Sequence, residues 1–188
     1  MSTLVIVSHP DLSRSVANRR LAAAVAPVPS VELRHLEALY PDARIDVAAE
    51  QEAAERASTI VFQFCFNWYA PPPMLKRWMD DVLAVGWAYG PGGERLRGKT
   101  LQLVVTCGAS ESSYAPGGYN RHPVDTLLLP IRTTAEFCGM AYAPPLVLYD
   151  VPNVPGLPLP PADPARVDAF ARRYRERIER PQTRGWVP

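Results

Sequence analysis

The sequence predicts an α/β domain, a doubly wound five-stranded parallel sheet with helices on both faces. Residues 4–7, 59–64, 101–106 and 146–149 are short continuous apolar runs, the pattern of strands buried on both faces rather than one. Between these runs lie stretches of helical period, and strands alternating with helices of that length imply parallel pairing through crossovers. The chain has 188 residues, enough for one substantial core, so a single domain over 1–188 is expected.

The elements follow in order. Leu4, Val5, Ile6 and Val7 open the chain as a strand that ends in Ser8, His9 and Pro10. Ala17, Leu21 and Val25 then recur on one helical face, and residues 31–33 form a short fifth strand candidate. An Ala- and Glu-rich run over 47–57 reads as the next helix, with Asp46 as its N-cap. After the strand at 59–64, Pro71-Pro72-Pro73 precedes Met74, Leu75, Trp78, Met79, Val82 and Leu83, and Pro suits the first turn of a helix. Leu127, Leu128, Ile131, Ala135 and Cys138 repeat such a face despite Pro130, and Val167, Phe170, Tyr174 and Ile178 form the last one. Residues 151–164 are Pro-rich and irregular, an extended connection that ties the last helix back to the body.

Composition excludes several classes. Lys plus Arg (20) nearly balances Asp plus Glu (19), so no overall field favours nucleic acid or an anionic membrane. Cys65, Cys107 and Cys138 are widely spaced, with no C-x-x-C pair, which disfavours a disulfide framework or a structural zinc site. No apolar run reaches membrane-spanning length and no secretory leader is evident, so a cytoplasmic protein is expected. His9, His35 and His122 show no metal-ligand spacing, and His35 reads as a surface residue. The phosphate cradles G-x-G-x-x-G and G-x-x-x-x-G-K-[ST] and the nucleophile elbow G-x-S-x-G are all missing.

In an open parallel sheet, ligands sit outside the carboxyl ends of the strands. Three loops fall there. The first, residues 8–18, leads polar side chains into a helix N-terminus, where free N–H groups and the helix dipole favour phosphate. Ser13 or Ser15 acting only as a helix cap is the plainer reading of the same residues. The second, Cys65 to Pro71, places Phe66, Asn67, Trp68 and Tyr69 where a planar ligand would lie; aromatics that merely shield the strand end read equally well. The third, from Thr106 through Cys107, Gly108 and Ala109 to Tyr114, has small residues that allow backbone N–H groups close approach to a ligand. Gly108 as an ordinary turn residue is its alternative. The weight comes from all three loops sharing one edge.

Ser8-His9-Pro10, Ser15-Val16-Ala17-Asn18, Leu39-Tyr40-Pro41-Asp42, Asn67-Trp68-Tyr69, Pro72-Pro73, Leu75-Lys76, Trp78, Asp80 and Gly86-Trp87-Ala88-Tyr89-Gly90 together resemble a known family. It is the NAD(P)H:quinone oxidoreductases of flavodoxin-like fold. The resemblance is nearest the bacterial branch that includes the ancillary oxidoreductases of potassium efflux and the modulator-of-drug-activity proteins. It implies a flavin, FMN with FAD as the alternative, bound on its phosphate side by His9, Ser15, Val16, Ala17 and Asn18. Phe66, Asn67, Trp68 and Tyr69 would line the ring, and Thr106, Cys107, Gly108 and Ala109 its pyrimidine edge. Cys107 and Ala109 stand where the family usually has Thr and Gly. In animal relatives a Tyr and a His stabilise charge as the flavin is reduced; Tyr114 matches the first. Asn120 stands at the second position and His122 lies two residues on, where it could face the acceptor or cap the helix beginning at Pro123.

The resemblance further implies ping-pong transfer of hydride from NAD(P)H to a quinone-type acceptor. It also implies a homodimer, with the excursion from Trp87 to Gly93 either closing a partner's site or packed as a local hairpin on its own domain. Two rivals belong to other classes, an electron-transfer flavodoxin and a flavin-binding regulatory subunit in peripheral contact with a membrane transporter. The near-neutral charge weighs against the first, since such shuttles are usually strongly acidic.

Overall fold

The computed structural model describes residues 2–152 and 161–180. Five strands, β1 (Thr3–Ser8), β2 (Val31–His35), β3 (Thr59–Cys65), β4 (Thr100–Thr106) and β5 (Ala141–Leu148), form one all-parallel sheet in the order β2-β1-β3-β4-β5. Helices α1 (Val16–Val25), α2 (Leu36–Leu39), α3 (Val47–Arg56), α4 (Pro73–Val82), α5 (Val124–Leu127), α6 (Leu129–Phe137) and α7 (Pro164–Glu179) connect and cover it. The order reverses at β1, so the loops after β1 and β3 meet over the middle of the sheet.

Each face has its own core. On one, Leu4, Ile6, Phe62, Phe64, Leu101 and Leu103 pack under Trp78 and Leu75 of α4 and Ile131 of α6. On the other, Val5, Val7, Val61 and Val104 pack against Leu21 and Val25 of α1 and Phe170 and Tyr174 of α7. Alternate residues of one strand feed opposite cores, which is why the central strands are apolar on both faces apart from the buried Gln63 and Gln102. Ser15, Asp46 and Asp163 cap α1, α3 and α7 by accepting from the backbone N–H of Asn18, Ala49 and Ala165. Each such cap stabilises by about 1 kcal/mol.

The first core also holds a closed polar cluster. The Glu50 carboxylate, fully buried, accepts from the Arg34 guanidinium (2.7 and 2.8 Å), the Tyr40 hydroxyl (2.6 Å) and Trp78 Nε1 (2.8 Å). It ties β2, α3 and α4 together.

Several expectations are corrected. β5 begins at Ala141 rather than Leu146 and runs through Pro144 and Pro145. Pro cannot donate to a ladder, and the β4–β5 register slips there, Ala143 facing Gln102 and Leu146 facing Val104. The bulge absorbs both prolines. β2 is half-covered along its whole length because it lies at the sheet edge. α2 is a single turn with no helical period to detect. The run over 127–138 is two helices, α5 and α6, with Leu128 between them. His35 is not a free surface residue: its Nε2 lies 3.3 Å from Glu37 Oε2, with about a fifth of each side chain exposed. Of the expected Pro-rich connection, 153–160 lies outside the described residues. The excursion after α4 packs on its own chain, with Trp87 Nε1 donating to Glu55 (2.7 Å) and the Tyr89 ring 5.2 Å from that of Phe137.

Candidate active site

The carboxyl edge of the sheet brings the three expected loops together and adds a fourth. After β1, Asp11 accepts from the backbone of Arg14 and from Ser13 Oγ, folding a tight turn that delivers Ser15 to the start of α1. His9 is buried, and its Nδ1 accepts the Asp11 N–H (3.1 Å), which leaves the ring proton on Nε2. Burial holds its pKa below 6.5 against the opposing pull of Glu37, so the ring is a neutral donor near pH 7. Ser15 does cap α1. The first-turn N–H groups of Val16 and Ala17 have no acceptor within the helix, which leaves them for a ligand.

Asn18 joins this loop to the others. Its Nδ2 donates to Thr106 Oγ1 (2.9 Å), and Gln63 Nε2 donates to its backbone carbonyl (2.9 Å), all of it buried. Residues far apart in sequence are thereby fixed in one geometry.

After β3, Phe66 continues the ladder by donating to Thr106 O (2.9 Å), and the chain turns sharply from Asn67 to Ala70. Trp68 (φ 51°) and Tyr69 (φ 61°) both sit in the left-handed region, an uncommon strain for two large residues in succession. Trp68 is 93% exposed. Tyr69 donates to Asn120 Oδ1 (3.0 Å), linking this turn to the loop after β4.

After β4, the backbone of Cys107 is taken on both sides, its N–H donating to Leu148 O (2.8 Å) and its carbonyl accepting from Val151 (3.1 Å). Ala109 O accepts from Asp150. The loop's N–H groups available to a ligand are therefore those of Gly108 and Ala109, not that of Cys107. Tyr114 is buried beneath the loop with its hydroxyl on the Cys107 thiol. Burial pushes that thiol up to about 12 and the Tyr114 hydroxyl well above its ordinary value, so both stay protonated. His122 is exposed and does not cap α5, whose N-cap is Pro123. Tyr119 is almost fully exposed.

The fourth loop follows β2, and sequence reasoning missed it. Glu37 of α2 accepts from Ser8 Oγ (2.7 Å) and from the His9 backbone N–H. The rule that found the other loops applies equally to the end of β2, but a three-residue apolar run followed by one helical turn gave it nothing to start from.

These residues fit the phosphate and ring of a flavin mononucleotide. Neutral and helix-terminal donors gather at His9 and α1, and a bare aromatic surface at Trp68 and Tyr69 stands ready for a planar group. Of two small cavities elsewhere, one of about 10 Å³ lies under Trp78, and one of about 40 Å³, lined by Thr3, Thr59 and Thr100, lies at the opposite edge of the sheet. Neither has room for such a ligand.

The fold and this edge define a flavodoxin-like domain, and residues 1–178 match the family described as flavodoxin-like fold; the chain belongs to it. Within it the chain has relatives among the ancillary proteins of potassium-efflux systems. It is 42% identical over 175 residues, 93% of each chain, to the glutathione-regulated potassium-efflux system ancillary protein KefF of Klebsiella aerogenes. Among solved structures, it superimposes on general stress protein 14 of Treponema denticola in complex with FMN (34% identity, TM-score 0.86, 95% of this chain and 98% of that one). An NADPH-quinone reductase from P. pentosaceus gives 28% identity and TM-score 0.81, covering 94% and 96%. A chain described as a thermophilic tryptophan halogenase from Streptomycin violaceusniger gives 40% and 0.87, covering 95% and 99%. No helix among the described residues is long and apolar enough to cross a membrane.

Proposed function

We propose that this chain is an FMN-dependent NAD(P)H oxidoreductase whose acceptor is a quinone-type molecule. The observation that carries the reading is the strained, exposed Trp68-Tyr69 turn set across from the donors of His9 and α1, at the one edge where an open parallel sheet binds ligands. The likeness to an FMN complex and to an NADPH-quinone reductase supports it.

His9 Nε2–H and the first-turn N–H groups of Val16 and Ala17 would hold the phosphate, while Ser15 and Asn18 keep that turn in shape. Phe66, Asn67, Trp68 and Tyr69 would seat the ring. The N–H groups of Gly108 and Ala109 would face its pyrimidine edge, with Thr106, Cys107 and Tyr114 bracing the loop behind them. When bound, the flavin supplies a two-electron relay between nicotinamide and acceptor, which gives ping-pong kinetics. Tyr69, Asn120, Tyr119 and the exposed His122 would stand where nicotinamide and acceptor take turns.

Absorbance and mass of the cofactor carried by the purified chain, followed by anaerobic reduction with NADH or NADPH and reoxidation by a quinone, test this directly. A flavin-free protein that takes up neither FMN nor FAD would end the reading. The 42% identity to an efflux-system ancillary protein favours a second role beside the first, as a cytoplasmic subunit that contacts a transporter peripherally. Co-purification with a membrane partner tests it. A homodimer is part of the proposal, and the exposed Phe137 and Val85 are the apolar residues it would cover; sedimentation at working concentration decides that point.

A further inference from the structure

The carboxylate of Glu37 is out of place if the neighbouring turn holds a phosphate. It accepts from Ser8 Oγ at 2.7 Å and from the His9 backbone N–H, and its charge is felt at the His9 ring. A lone anion there would repel another. Its second oxygen, Oε2, and His35 Nε2 are both shut off from solvent, neither makes a hydrogen bond, and they lie 3.3 Å apart. A protonated His35 sets its charge against the carboxylate at that distance and cancels it.

We propose that Glu37 and His35 are positioning residues for the anionic end of the cofactor: Glu37 fixes Ser8 and His9, and His35 neutralises Glu37 so that a phosphate can sit beside it. This rests on the reading that a flavin phosphate lies at residues 9–18. The other charged or titratable groups around the pair are His9, Asp11 and Arg14 on the β1 loop and Cys65 at the end of β3, whose thiol burial keeps neutral. None of these replaces His35 against Glu37 Oε2.

Contact with Glu37 raises the pKa of His35, while that of Glu37 is lowered, so the pair keeps its positive member to higher pH than a free imidazole and loses it as pH rises further. FMN affinity should therefore fall with rising pH. By reciprocity, FMN must shift the titration of His35 upward.

The test titrates the full-length chain, freed of flavin, with FMN and with riboflavin, which lacks the phosphate. His35→Gln should weaken FMN at pH 7 by roughly three- to tenfold, the scale of one unbalanced charge at partly exposed range. Riboflavin should be unaffected, and the double variant His35→Gln/Glu37→Gln should return to within about twofold of the parent, its affinity now flat with pH except for the titrations of the phosphate and of His9. Equal losses for FMN and riboflavin, or a double variant no better than the single one, would overturn the proposal. Where a variant folds poorly, NMR titration of His35 in the unaltered chain decides, since a midpoint that FMN leaves in place sinks the idea. If the parent takes up no FMN at all, the functional reading fails first, and the two failures are told apart.

Discussion

Two polar clusters built from similar side chains lie on the same half of the sheet and do different work. Around Glu50, every strong donor and acceptor meets a partner inside the protein: Arg34, Tyr40 and Trp78 converge on one carboxylate that water never reaches. Around Ser8, His9, Glu37 and Asn18, the same types of group are only partly satisfied. His9 keeps one ring N–H in reserve, the first turn of α1 keeps two more, and the adjoining Trp68-Tyr69 turn is strained and bare. A saturated cluster holds elements together, whereas an unsaturated one on a strained frame is prepared for a ligand.

The strongest way to break this contrast is Glu50→Ala. It takes the buried carboxylate from a partly buried guanidinium, a phenol and an indole N–H, and should destabilise by about 3 kcal/mol, read as a drop in urea midpoint. The protein that remains folded should still bind FMN with unchanged stoichiometry. Asn18→Ala removes the amide donor to Thr106 Oγ1 while keeping the backbone carbonyl that Gln63 donates to, and should cost about 1–3 kcal/mol together with a clear fall in flavin affinity. Trp68→Gly should separate stability from function. A glycine relieves the left-handed strain and should stabilise the apoprotein by about 1 kcal/mol, while flavin affinity falls by roughly tenfold for want of the aromatic face. Tyr114→Phe leaves the Cys107 thiol without its hydroxyl and should cost about 1 kcal/mol. If stopped-flow reduction and reoxidation also stay at parental rate, Tyr114 only braces the loop.

The smallest effect concerns pH. The pKa of His9 is lowered on folding, so its contribution is complete above the unfolded value of 6.5 and declines as pH falls through the folded one. That of His35 is raised, so its contribution is present below 6.5 and is lost as pH rises through the folded value. Thermal unfolding of the flavin-free chain against pH should show opposite slopes removed by His9→Asn and by His35→Gln.

The fold was legible because its evidence is local. An unbroken apolar run such as Leu4 to Val7 announces a central strand, and Asp46 or Pro73 announces a helix start. Where structure depended on distant partners, legibility ended. Pro144 and Pro145 argue against a strand until the slip against β4 is known. At the site, three loops were found because each follows a well-marked strand. The Asn18–Thr106 and Tyr114–Cys107 bonds follow from no local pattern. Cys107 was expected to serve through its N–H, and only the pairing of β5 shows that Leu148 takes it. Glu37 was invisible because β2 lies at the sheet edge, where burial no longer enforces an apolar run.

The prolines of β5 have one more effect, which concerns molecules meeting one another. β5 is an outer strand, and an outer strand presents free backbone groups on which a second chain can grow by the same pairing that built the sheet. Pro144 and Pro145 face opposite sides of the strand, so one of them removes a donor from that row and the other from the ladder with β4, and the slip bends the strand. This margin of the sheet is thus a poor template for polymer growth. Substituting both prolines with valine would trade this protection for a smoother ladder, with light scattering on gentle heating as its readout.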